Sequence, residues 1–216
     1  MHLNFTEIYI LAIGIFLSSV FAIYFKVKEK KSLYGWFKPL TTILIIGLAI
    51  WINYLNYTTY NIFIILGLFF GLVGDIYLLK DARFVKGLVA FLIAHLFFIG
   101  AFIAVNGFVF NIIPLLYLTV FAVIYFSYLR SKLGNYLVPV IVYISIIVVM
   151  CWQALSLVSE YSKASYIIAG SAILFAFSDS VLAYNKFIKA SKYYQILVLV
   201  SYWGALVGLS FAGIYV

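Results

Sequence analysis

Eight apolar runs, each free of lysine and arginine, occupy most of this chain, at about residues 8–25, 39–55, 62–79, 87–105, 111–129, 137–157, 165–185 and 193–214. About 20 apolar residues in a helix rising 1.5 Å each cross the roughly 30 Å hydrocarbon core of a bilayer. The pattern therefore predicts an all-α membrane protein, a bundle of eight transmembrane helices. With 216 residues, 67% of them hydrophobic and 9% charged, no length remains for a soluble domain, and residues 1–216 read as a single integral membrane domain. The run from Ile8 to Phe25 has no basic segment before it and no small-residue cleavage site after it, so it reads as a retained first span. Helix 2 is expected to open at Pro39, where the missing amide proton falls among first-turn donors that lack an intrahelical partner.

Orientation follows from the loops. Lys26, Lys28, Lys30, Lys31, Lys38, Lys80, Arg83, Lys86, Arg130, Lys132, Lys186, Lys189 and Lys192 all fall at one end of the predicted bundle, and of the fourteen cations only Lys163 falls at the other. Because Lys and Arg resist translocation, the basic loops are expected in the cytoplasm and both termini outside, in a cell membrane such as the bacterial inner membrane. The net charge of +8 is spread over short loops and forms no continuous basic face. The expected partners are the lipid bilayer and its anionic head groups, and no nucleic acid.

Six acidic residues are present, and Glu7, Glu29, Asp81 and Glu160 lie in loops or at helix edges. Asp75 and Asp179 lie inside spans, five and seven residues before the next cation, or about 8 to 10 Å below the boundary. A carboxylate within a span costs roughly 2.5 to 3.5 kcal/mol even on insertion scales, and such a residue usually faces the bundle interior with a task there. Gly67, Gly71 and Gly74 share a helical stripe with Asp75, and Ser171 and Ser178 accompany Asp179. Small residues let a neighbouring helix approach, so Asp75 is expected to point inward. Gly74-Asp75-x-x-Leu78 and Ser178-Asp179-x-x-Leu182 echo one another, and Phe84 and Phe187 follow them, which suggests a weak internal repeat of four helices.

His95 is the one histidine within a span, on a stripe with Gly87, Phe91, Ala94 and Phe98. A packing role and a catalytic role are both open to it. One such His, the lone Cys151 and two Asp make a poor zinc set, so no metal site is expected. Gly-x-Ser-x-Gly, P-loop, His-Glu-x-x-His and dinucleotide-binding motifs are missing from the sequence. Gln153 and Glu160, toward the outer side, read as structural.

Four ordered segments carry a family resemblance: Phe37-Lys38-Pro39-Leu40; Gly71 to Leu78 with Gly74-Asp75; Gly87 through Phe91 to Ala94-His95; and Phe177-Ser178-Asp179-Ser180 with Leu182, Ala183 and Phe187. Together they resemble the YhhN/TMEM86 lysoplasmalogenase family of eight-helix membrane proteins. The last helix departs from the family pattern, reading Tyr202-Trp203-Gly204-Ala205-Leu206. The resemblance implies hydrolysis of the vinyl ether bond of a lysophospholipid substrate, a lysoplasmalogen, to a fatty aldehyde and a glycerophospho-alcohol. Such a bond breaks by protonation of its β-carbon and capture of the resulting oxocarbenium ion by water. Two carboxyl groups that share a proton suit that chemistry, as in glycosidases, without a cofactor. The implied catalytic residues are Asp75, Asp179 and His95, with either aspartate able to serve as the acid. Lys38, Ser178, Gly71 and Gly74 are implied at the substrate, Lys38 facing its phosphate. A small proton-coupled transporter or carrier, and a non-catalytic lipid-binding scaffold, are the competing classes. Carrier sites favour the membrane midplane, whereas these aspartates sit in the cytoplasmic third.

Overall fold

The computed structural model describes residues 5–160 and 162–216, the side chains of residues 5, 159 and 160 excepted, so the expectation for Glu160 lies outside the described residues. Eight long helices form among the described residues: α1 (Phe5–Val27), α2 (Lys31–Leu55), α3 (Thr59–Tyr77), α4 (Phe84–Asn106), α5 (Ile112–Leu129), α6 (Leu137–Ser156), α7 (Lys163–Phe187) and α8 (Lys192–Ala212). Each is long and apolar enough to cross a membrane, and the chain is a multi-pass membrane protein.

The helix starts are written locally. Thr58, Asn111, Ser162 and Ser191 each accept, through the side-chain oxygen, a backbone N–H from the first turn of the helix that follows, which satisfies a donor that has no intrahelical partner. Between α1 and α2, Glu29 turns the chain in the left-handed region at φ 58°, and its carboxylate meets the Lys192 ammonium at 2.6 Å.

The predicted ends agree with the observed ones to within three residues, with one correction. α2 opens at Lys31, and Pro39 lies inside it. A proline there removes one intrahelical bond and crowds the carbonyl four residues back. That carbonyl belongs to Gly35, which adds no side chain to the crowding. The error came from treating the edge of the apolar run as the end of the helix, whereas the added turns carry Lys31, Tyr34 and Lys38 into a polar cleft.

Neighbours in sequence pack as neighbours in space: α3 lies on α4, α7 on α8, α1 on α2 and α2 on α3. The halves α1–α4 and α5–α8 then join by α2 against α8 and α4 against α6. Away from the basic loops, the Asn56 and Asn61 side-chain amides donate to the Gly213 carbonyl, and the Tyr60 hydroxyl donates to the Leu209 carbonyl at 2.8 Å. In the α4–α5 connection, Gln153 donates to the Val109 carbonyl and accepts from its N–H. α5 stands apart from this packing, with Leu129 its one buried residue.

Candidate active site

At the basic end, α1, α2, α3, α4, α7 and α8 surround a cleft of about 760 Å³ whose walls include both Asp75 and Asp179. Asp75 is 1% exposed, so its oxygens depend on protein donors. Its Oδ2 accepts from the Thr42 hydroxyl at 2.6 Å and the Tyr202 hydroxyl at 3.1 Å, and its Oδ1 lies 3.1 Å from the Lys38 ammonium. Thr42 in turn accepts from the Trp203 indole N–H at 3.3 Å. An ionised carboxylate accepts only and has two oxygens to satisfy; here two hydroxyls donate to Oδ2, while Oδ1 makes no hydrogen bond and faces the ammonium as an ion pair.

Asp179 has a different environment. Its Oδ2 accepts from the Tyr143 hydroxyl at 2.9 Å and lies 3.3 Å from His95 Nε2. His95 is fully buried, enclosed by Phe98, Tyr143 and Phe175, the last with ring centroids 4.7 Å away. Its Nδ1 sits 2.6 Å from the Phe91 carbonyl, which can only accept, so Nδ1 carries a hydrogen. Nε2 of the neutral ring is then an acceptor facing a carboxyl oxygen, and that contact is attractive only when one proton lies between them.

The two halves trade partners. Asp75 on α3 is held by α2 of its own half and α8 of the other; Asp179 on α7 is held by α6 of its own half and α4 of the other. Phe84 and Phe187, which follow the two aspartate motifs, pack edge to face with centroids 5.9 Å apart. The four-helix echo in the sequence therefore coincides with a two-fold arrangement of the site. Chemistry breaks the symmetry, because one carboxyl faces an ammonium and the other an imidazole.

Of the implied substrate residues, Ser178 lines the cleft and donates to the Val198 carbonyl at 3.1 Å. Lys38 also lines it, 6% exposed and held at Asp75. Gly71 and Gly74 stand behind the site instead of at its surface. A Cβ at Gly71 would come within 3.1 Å of the Tyr202 hydroxyl, and one at Gly74 within 2.6 Å of the Phe91 ring. The glycine stripe makes room for the two aromatic residues that serve the carboxyls, Tyr202 directly and Phe91 through its carbonyl on His95. Around the mouth stand Lys26, Lys31, Lys80 and Lys186, with Lys186 bound to Asp81 at 2.9 Å.

Thr42, Tyr143 and Tyr202 escaped the sequence reading. Thr42 follows Lys38 by one helical turn and could have been found on that stripe. Nothing singles out Tyr143 among 19 tyrosines, and Tyr202 stands out only as part of the segment that departs from the family pattern.

Fold and site together define a polytopic membrane protein with two buried, differently partnered aspartates facing one cation-rimmed cleft. The sequence profile of the YhhN family matches residues 33–212, and the chain belongs to that family. Among curated proteins it is 32% identical over 139 residues to lysoplasmalogenase TMEM86B of Mus musculus, covering 62% of this chain and 55% of that one. It is 34% identical over 108 residues to a lysoplasmalogenase homolog of Dictyostelium discoideum, covering 46% and 36%. With lysoplasmalogenase TMEM86A of Bos taurus it shares 30% identity over 154 residues, covering 66% and 61%. The chain thus spans about half the length of the curated relatives it matches. No solved structure matches it.

Proposed function

We propose that this chain is a membrane hydrolase that cleaves the vinyl ether bond of a lysoplasmalogen, releasing a fatty aldehyde and a glycerophospho-alcohol. Family membership and the names of the relatives support the reaction class. The observation that carries the mechanism is the unequal pairing of the two aspartates, Asp75 with Lys38 and Asp179 with His95.

In this mechanism Asp179, with His95 behind it, donates the shared proton to the β-carbon of the alkenyl ether, and the α-carbon becomes an oxocarbenium ion. Asp75, kept anionic by Lys38, Thr42 and Tyr202, stabilises that cation and takes a proton from the water that attacks it. The hemiacetal collapses as its hydroxyl proton is transferred to the departing alcohol oxygen and the C–O bond breaks, and the proton on Asp75 passes through solvent in the cleft to restore the Asp179–His95 pair. One water is consumed, and no metal or cofactor is required. Since Lys38 is engaged by Asp75 and Lys186 by Asp81, the substrate phosphate falls to the rim cations Lys26, Lys31 and Lys80. The cation count supports placing this rim in the cytoplasm with both termini outside.

The test is product analysis of purified protein with matched alkenyl-lyso, acyl-lyso and diradyl lipids. Aldehyde from the alkenyl-lyso lipid alone, lost in Asp75→Asn and Asp179→Asn, is the expected result. Fatty acid released from the ester would overturn the mechanism.

A further inference from the structure

Asp179 faces a second cavity as well as the cleft. A predominantly apolar groove of about 350 Å³ lies between α5, α6 and α7, and Asp179, Phe84 and Leu182 line both spaces. Below the carboxylate the groove continues along α6 from Tyr143 to Cys151 and along α7 back to Ile173, or about 9 to 12 Å at the helical rise. A polar, lysine-rimmed space at the membrane boundary thus lies against a hydrocarbon-lined one toward the membrane centre. Asp179, a residue of the candidate acid pair, stands in the wall that the two share.

The groove exists because the two halves differ. In the first, α1 is packed onto α2, and Ser18 and Thr41 share a hydrogen bond of 2.8 Å across them. Its counterpart α5 stands off, and near the groove the Tyr125 hydroxyl reaches across to the Ser180 carbonyl at 2.5 Å. One half is closed, and the other leaves an opening beside its aspartate.

We propose that this groove receives the single hydrocarbon chain of the lysolipid, entering from the bilayer between α5 and α7, while the head group occupies the lysine-rimmed cleft. The inference rests on the lysolipid reading above and adds where the chain lies. A chain leaving the bilayer for the groove exchanges one hydrocarbon surface for another, so the groove contributes little affinity. Its contribution is register, holding the alkenyl carbons beside Asp179.

The test uses a non-cleavable alkyl-ether lysophospholipid with a diazirine midway along the chain, photolysed on the full chain in phosphatidylcholine nanodiscs and mapped by mass spectrometry. Labelling is expected at Leu118, Ile147, Val148 and Ile173, and an excess of unlabelled alkyl-ether lysolipid should suppress it. Ala176→Trp on α7, or Ala122→Trp on the facing wall should the first variant fail to fold, should reduce it at least tenfold. Labelling spread evenly over the lipid-facing perimeter, and unchanged by competitor or tryptophan, overturns the groove. Groove labelling by a preparation that releases no aldehyde from lysoplasmalogen keeps the groove and removes the hydrolase. Aldehyde release with perimeter labelling does the reverse.

Discussion

Removing Lys38 tests whether Asp75 functions as an anion. At 3.1 Å a full ion pair at an effective dielectric of 20 has a gross attraction of about 5 kcal/mol. Burial of both partners offsets much of that, and breaking such a pair from one side typically costs about 3 to 5 kcal/mol, because the remaining charge is left buried. Lys38→Met should therefore be strongly destabilising, and so should Asp75→Asn, which strands the ammonium. The double variant Lys38→Met with Asp75→Asn removes both charges and should cost about 2 to 3 kcal/mol less than the two single losses added together. Reversible unfolding of the four proteins in mixed detergent micelles measures it. The folded Lys38→Met protein should also lose at least about 100-fold in aldehyde release, the scale of removing one electrostatic stabiliser from a transition state. Additive single effects, with a coupling below about 0.5 kcal/mol, would refute the ion pair and with it the assignment of Asp75 as the anion.

Gly71→Ala should displace the Tyr202 hydroxyl, 3.1 Å from the new Cβ, and lower aldehyde release about as much as Tyr202→Phe does. Combining the two should cost nothing further, since phenylalanine lacks the crowded oxygen; additive losses would contradict this coupling. Reporter fusions after Lys31, Lys86, Lys132 and Lys189 should read cytoplasm and one at Val216 the outside, and an inside C-terminus overturns the orientation. Among the described residues no three His, Cys, Asp or Glu side chains gather as a metal would need. Activity should accordingly survive strong chelators, and loss restored by a divalent ion would show the site misread.

The spans were legible because lipid leaves a helix no cheaper way to satisfy its backbone, and apolar runs of this length have little else to be. The start of α2 was not, since hydropathy marks where the bilayer ends and is blind to helical turns that continue beyond it. Asp75, Asp179 and His95 stood out for the same reason as the spans: an ionisable group is rare in such a chain. Their partners did not, because a tyrosine is ordinary here until geometry brings its hydroxyl to a carboxyl. Tyr202 lies where the sequence departs from the family pattern, and sequence alone gave α8 no role. Gly71 and Gly74 stand where the Tyr202 hydroxyl and the Phe91 ring come close against α3, and which groups approach them is not written in the glycine stripe itself. Which aspartate faces an ammonium and which an imidazole was equally hidden, because that pairing exists only in three dimensions.

The most direct measurement of the central claim is cleavage of lysoplasmalogen in D₂O, with the aldehyde trapped by immediate reduction and weighed by mass spectrometry. Protonation of the β-carbon from the Asp179–His95 pair predicts a single deuterium at the carbon next to the former aldehyde carbon. It also predicts that Asp179→Asn abolishes the labelled product. Aldehyde released with no deuterium at that carbon, or the same labelled product formed at an undiminished rate by Asp179→Asn, would contradict it.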